Sequence, residues 1–119
     1  MGILMVFIGG GVGSVLRYMI SQWVPWQEGN FPYATLVANI VSSIILGCLL
    51  GWVTRYDLLS PYRLLLMTGF CGGFSTFSTF SAEGLVLLER GQTMMAITYI
   101  VISVILGLLS VFIGMKLAS

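Results

Sequence analysis

Between Gly69 and Ser81 the chain reads Gly-Phe-Cys-Gly-Gly-Phe-Ser-Thr-Phe-Ser-Thr-Phe-Ser. Phe74, Phe77 and Phe80 recur every three residues, with Ser75, Ser78, Ser81, Thr76 and Thr79 between and after them. On a helix Phe77 and Phe80 stand one turn apart on one face, and a phenyl ring has a positively polarised edge that can face an anion without offering a basic group. Hydroxyls beside the rings supply donors to an anion that has shed part of its water. The plainer explanation is aromatic filler, with serines bonding the preceding turn's carbonyls. Repetition beside an expected helix break favours ion chemistry over filler. Asn39 lies in another apolar segment, with Thr35 four residues before it and Ser42 and Ser43 three and four after. An unpaired amide in lipid is costly, so this stripe faces protein or a pore, and interhelical bonding and pore lining both remain open. Arg17 and Glu83 fall within or near apolar segments, where a charge rarely faces lipid. Arg17 either snorkels to the interface or gives a pore mouth a positive potential. Glu83 either guards a vestibule or caps a polar contact.

These residues sit in a chain that composition assigns to the membrane. Of 119 residues, 58% are apolar and only 8% charged, where a soluble domain carries about a quarter charged. The apolar runs are continuous rather than alternating, so the expected fold is all-α, a bundle of membrane-spanning helices and not a barrel. Segments of about 20 residues, enough to cross a hydrocarbon core, are Ile3 to Val24, Tyr33 to Thr54, Tyr62 to Leu88 and Thr93 to Leu117, and residues 1–119 form one domain of four transmembrane helices. The connectors hold Pro25, Glu28, Gly29, Asn30 and Pro32, then Arg55, Asp57 and Pro61, then Glu89, Arg90 and Gly91, the punctuation of interfacial turns. Trp23, Trp26, Trp52 and Tyr56 fall at span ends, where amphipathic rings prefer the headgroup level. The first span lacks a basic leader and a small-residue cleavage pattern, so it is expected to remain in the mature protein.

Four spans put both termini on one side. That side and the second connector carry Arg55, Arg63 and Lys116, against Arg17 and Arg90 opposite, a bias too small to fix orientation. Insertion both ways is therefore permitted, and an antiparallel, dual-topology homodimer would place an in-plane two-fold axis at the bilayer centre.

The third span is longer than one crossing needs and holds adjacent glycines at its centre, so the expectation is a helix broken near the midplane, between Gly72 and Ser75. Unwound backbone at that depth is tolerated only where it is buried in protein or lines a cavity or ion site. Two half-helices meeting there present carbonyls from one and amides from the other. Elsewhere the 15 glycines point to close helix packing: Gly9 with Gly13, Gly10 with Ser14, the series Ser43, Gly47, Gly51, and a last-span seam of Ser103, Gly107, Ser110 and Gly114. The absence of His removes the usual proton shuttle and metal ligand, so no enzyme is expected. Cys48 and Cys71 read as small buried hydrophobes. A net charge of +1 argues against nucleic acid. Gly9-Gly10-Gly11-Val12-Gly13-Ser14 lacks a P-loop lysine and does not complete G-x-G-x-x-G, which argues against a nucleotide.

Three stretches together resemble the small fluoride exporters known as CrcB or Fluc fluoride channels. Gly10-Gly11-Val12-Gly13-Ser14-Val15-Leu16-Arg17-Tyr18 is similar to that family's G-G-x-x-G-A-x-x-R-Y, and Thr35-Leu36-Val37-Ala38-Asn39 to its T-L-x-x-N. Gly69 to Phe80 resembles G-F-C-G-G-x-T-T-F-S-T-F, the most specific of the three. The resemblance implies an antiparallel homodimer in the cell membrane with two fluoride pores lined by both subunits, and a structural sodium ion at the dimer axis. The sodium carbonyls would be those of Gly72 and Ser75. Phe77 and Phe80 would turn ring edges to fluoride, Asn39 would be the pore amide, and Ser78 or Thr79 with Tyr99 and Ser103 would form a hydroxyl track. Arg17 and Glu83 would stand near the vestibules. Ser75 replaces a commoner Thr and Ser14 an Ala; Gly107 stands where a further hydroxyl is expected, which leaves a part for Ser110 open. The implied activity is passive export of fluoride. The competing reading is a small four-span proton-coupled multidrug exporter, which needs a membrane-embedded carboxylate; a purely structural subunit would explain the glycines but not the Phe-Ser-Thr segment.

Overall fold

The computed structural model describes residues 2–26, 30–56 and 60–118. Glu28, Gly29 and Asp57 of the expected connectors, and the side chains of Arg55 and Pro61, lie outside what is described. The described residues are helical almost throughout. Gly2–Trp23, Tyr33–Tyr56 and Thr93–Ala118 are long single helices, and 60–89 is divided into shorter pieces. Three helices are long and apolar enough to cross a membrane, and with the divided stretch four helical rods fit the four expected spans. The longest dimension, 48 Å, compares with about 40–45 Å for a bilayer with its headgroups.

Each helix end has a local cause. The first helix makes its last bond from Val24 N–H to Ile20 O at 2.8 Å, and Pro25 then has no amide to continue the ladder. Pro32 stands just before Tyr33 and takes Leu36 N–H on its carbonyl at 3.3 Å, a position where a missing amide costs nothing. The helix Phe77–Glu89 closes with Gly91 N–H on Leu88 O at 3.1 Å and Gln92 N–H on Leu87 O at 2.9 Å. That paired closure needs a left-handed residue, and Gly91 supplies it at φ 78°.

The rods associate as two pairs, each sealed by glycines. A side chain at Gly9 would strike the Leu65 carbonyl, at Gly13 the Phe70 carbonyl, and at Gly73 the Gly10 carbonyl. Gly47 lies against Val111, and Gly114 against Ile44 and Cys48. The first helix thus meets 60–74, and the second meets the last, backbone to backbone. A small shared core of Leu36, Leu87, Ala96 and Tyr99, with Phe80 and Ile102 against it, ties the second and last helices to Phe77–Glu89. Ile3, Phe7, Leu108 and Leu117 point outward, as expected where lipid is the solvent.

Two expectations need correcting. The glycine pair does not unwind the helix: Gly72 is helical at φ −64°, ψ −37°, and the non-helical residues are Ser75 (φ −84°, ψ 156°) and Thr76 (φ −151°, ψ 123°). The physical reason is that Gly73 is used for close approach to Gly10, which needs the backbone in place. The disturbance upstream takes another form, since Leu64–Cys71 runs as a π-helix, a wider ladder with i→i+5 bonds. The last-span seam is also not uniform. Gly114 packs tightly, whereas nothing lies within 4 Å of a side chain built at Gly107.

Replacing Gly47 or Gly73 with Val should therefore destabilise the fold by about 1–3 kcal/mol or more, the usual cost of overpacking. Gly107→Ala should be neutral or stabilising by up to about 1 kcal/mol. Thermal unfolding of the purified protein in one detergent orders the three.

Candidate functional site

The interruption at Ser75 and Thr76 forces a backbone accounting. In an unbroken helix Thr76 N–H would bond the Gly72 carbonyl, and Thr79 N–H the Ser75 carbonyl. Here Thr76 N–H donates to Asn39 Oδ1 at 3.2 Å. Thr79 N–H donates to Thr76 Oγ1 at 3.4 Å, so Thr76, extended and hydroxyl-bearing, is the N-cap of the helix Phe77–Glu89. Both carbonyls lose the amide that helical continuity would have given them. The last bond before the interruption runs from Ser75 N–H to Cys71 O at 3.0 Å, and the Ser75 hydroxyl donates to the same oxygen at 2.8 Å.

Two side chains from other helices secure this end. Arg17 Nε donates to the Gly73 carbonyl at 3.1 Å, and a cation at a helix C-terminus is favoured by the partial negative charge there. Asn39 is held more restrictively. With its oxygen occupied by Thr76 N–H, the amide's remaining groups are two N–H donors.

A recess of about 280 Å³ opens beside the interruption, lined by Asn39, Ser43, Ser75, Thr76, Phe77, Phe80, Ser103 and Val104. It brings together five of the residues that the sequence singled out: Asn39, Ser75, Phe77, Phe80 and Ser103. The two rings are 5.9 Å apart between centroids, tilted by 45°, and Phe77 is 78% exposed in the single chain. Ser103 Oγ is buried without a hydrogen-bond partner. Gly72 and Ser75 share a smaller recess, about 160 Å³, with Ser42, Ser43 and Cys71.

The other expected residues gather elsewhere. Glu83 is 6% exposed; its Oε2 accepts from the Thr35 hydroxyl and its Oε1 from the Tyr99 hydroxyl, each at 2.9 Å. Tyr99 is fully enclosed, so within one chain its hydroxyl serves Glu83 rather than the recess; its ring lies 5.0 Å from Phe80 and 5.4 Å from Phe31 between centroids. Thr79, Arg17, Thr35 and Glu83 line a second recess of about 380 Å³, and Ser78 lies on a third with Thr79 and Glu83. Ser110 is buried and donates to the Leu106 carbonyl of its own helix at 2.5 Å.

Three contributors were not picked out beforehand. Thr35 and Ser43 belong to the stripe read around Asn39, at offsets of four that put them on its face. Thr76 carried a capping signal, a threonine just before an amphipathic run, which the Phe-Ser-Thr repetition obscured.

Helical rods sealed by glycine contacts, apolar outside, with polar recesses at an interrupted helix, define a multi-pass membrane protein. Known proteins narrow this. The profile of the family described as CrcB-like protein, Camphor Resistance (CrcB), matches residues 4–115. A protein of Flavobacterium psychrophilum named fluoride-specific ion channel FluC is 41% identical over 118 residues, covering 98% of this chain and 95% of that one. Proteins of the same name from Phocaeicola vulgatus and Rhizobium meliloti are each 44% identical, over 94% and 97% of this chain and 93% and 94% of theirs. The chain belongs to the CrcB-like family. By that kinship it is not an enzyme.

Because Glu83 holds two buried hydroxyls, Glu83→Ala should cost about 1–3 kcal/mol for each hydroxyl left without an acceptor. Glu83→Gln, which keeps one acceptor oxygen, should cost less. The melting temperatures of the two variants, in the same detergent as the parent, give the order.

Proposed function

We propose that this chain forms a fluoride-selective channel in the cell membrane, through which the anion leaves a negatively charged interior passively, down its electrochemical gradient. The names of the relatives support it. The observation that carries it is the bond from Thr76 N–H to Asn39 Oδ1, which leaves donors as the amide's remaining groups on a residue that lines a recess with two phenyl rings. A fluoride ion that sheds water there meets N–H and O–H donors and polarised ring edges. The nearby Arg17 is engaged with a carbonyl at the interruption, so the compensation is by neutral dipoles, strong enough to admit the ion and weak enough to release it. Selectivity over chloride then follows from narrowness and donor geometry.

The working unit in this proposal is an antiparallel homodimer inserted in both orientations, its two pores lined by both subunits. The exposure of Phe77 supports a partner surface at that point. A structural sodium ion belongs to the same proposal. Its oxygens would be the Gly72 and Ser75 carbonyls, and their fit rests on the diversion of Thr76 and Thr79 N–H to other acceptors. Gly72 is open, with nothing within 4 Å of a side chain built there. Bound sodium would supply positive charge that neutralises carbonyl oxygens meeting across the dimer axis. Ser78 and Thr79 would enter the pore hydroxyl track through contacts made in the dimer, Tyr99 only by giving up its bond to Glu83, and Arg17 and Glu83 stand at the vestibule. The multidrug-exporter reading is not favoured: its named counterparts are absent among the relatives described, and Glu83 is tied to Thr35 and Tyr99.

Purified protein in liposomes loaded with potassium fluoride should release fluoride when valinomycin carries the balancing charge, read with a fluoride electrode. Asn39→Asp keeps the acceptor for Thr76 but replaces donors with negative charge, and Phe80→Ile removes a ring edge. Both should lose most of the flux while still running as dimers on size exclusion. No release from folded, dimeric parent protein would refute the proposal.

A further inference from the structure

Four serines in these helices donate to their own backbone. Ser21 donates to Tyr18 O at 2.6 Å, Ser42 to Asn39 O at 3.1 Å, Ser75 to Cys71 O at 2.8 Å and Ser110 to Leu106 O at 2.5 Å. A hydroxyl satisfied in this way has its proton committed. Ser43 and Ser103 differ. Ser103 Oγ is buried with no partner, and Ser43 makes no hydrogen bond among the described residues. Both line the 280 Å³ recess, one from the second helix and one from the last. Ser43 stands one turn beyond Asn39 on the same face, and it also borders the smaller recess that holds Gly72 and Ser75.

A polar atom left unpaired in an apolar bundle is costly unless something else satisfies it. Ser42, its neighbour in sequence, shows that a serine on this helix can reach back to a carbonyl. The recess that Ser43 lines is also lined by Asn39, whose remaining groups are donors, and by two phenyl rings, a set suited to a small anion.

We infer that Ser43 is a coordinating residue for the permeating anion, donating its hydroxyl in the same recess as Asn39 and Ser103. This rests on the channel reading above. The ligand class is a small, hard, partly dehydrated anion, with fluoride as the probe. Ser43 touches the ion inside the ring-walled recess, so its loss raises a barrier within the path.

The test is fluoride efflux from liposomes at matched protein density for the parent, Ser43→Ala, Ser43→Thr and Ser110→Ala, with dimer recovery measured for each. Ser43→Ala should slow efflux about tenfold, the effect of one hydrogen bond to a charged group. Ser43→Thr, which restores the hydroxyl, should recover most of it, and Ser110→Ala should match the parent. Parent-like efflux from Ser43→Ala overturns the assignment, as does Ser43→Thr as slow as Ser43→Ala, or an equal loss in Ser110→Ala. Should Ser43→Ala not assemble, the near-isosteric Ser43→Cys carries the test: its weak donor should give slowed efflux, and parent-like efflux overturns the assignment. A silent parent removes the channel reading itself, an outcome distinct from a conducting parent indifferent to Ser43.

Discussion

A backbone amide inside an apolar bundle must have a partner, and that requirement organises the structure around Thr76. Leaving the helix at Ser75 and Thr76 frees the amides of residues 76–79 from their usual carbonyls, Thr76 and Thr79 N–H among them. Both find acceptors at once, one on Asn39 of a different helix and one on the Thr76 hydroxyl. The arrangement separates charge by kind. The Gly72 and Ser75 carbonyls are among those that lose their helical amides, and the Asn39 side chain is left with donors. Acceptors therefore collect at Gly72 and Ser75, while donors collect at Asn39, Ser43 and Ser103. A straight helix could not produce that division, because each carbonyl would cancel an amide four residues on.

The position of the rings depends on a second buried network. Glu83 takes one hydroxyl from each of two other helices, and the Tyr99 ring, fixed by that bond, lies 5.0 Å from Phe80 between centroids. A carboxylate with both oxygens occupied restrains three elements at once, which a pair of aliphatic residues in its place would not. Phe80 is thus held from behind by a ring that cannot rotate freely. Phe77, one turn away and exposed, has no comparable support within a single chain.

Much of this was legible in the residues alone. Continuous apolar runs located the helices to within a few residues, because proline, glycine and charge at their ends have direct backbone consequences: Pro25 and Gly91 stop the chain as their chemistry requires. The candidate site was legible where polar residues recur at helical spacing, as around Asn39, and in the Phe-Ser-Thr repetition. The exact point of the interruption was not. Adjacent glycines announce either a break or a close approach, and only the position of Gly10 on a separate helix decides for the second. Tyr99 was hidden for a related reason: its hydroxyl has two apparent destinations, and Glu83, sixteen residues earlier, lies within reach only once the helices have packed.

The glycine contacts and the polar site are physically dependent on each other. Gly9, Gly13 and Gly73 bring the first helix so close to 60–74 that Arg17 Nε, one turn beyond Gly13, arrives at the Gly73 carbonyl. Gly47 and Gly114 do the same for the second and last helices, and the approach they permit sets Asn39 and Ser43 across one recess from Ser103. A side chain at any of these positions would widen a helix pair, and hydrogen bonds near 3 Å weaken quickly with separation. The polar geometry is therefore fixed by the absence of side chains a turn or two away. That explains how a chain with 8% charged residues can hold these donors and acceptors in defined places: the positioning is done by shape, and electrostatics acts only on what shape has placed.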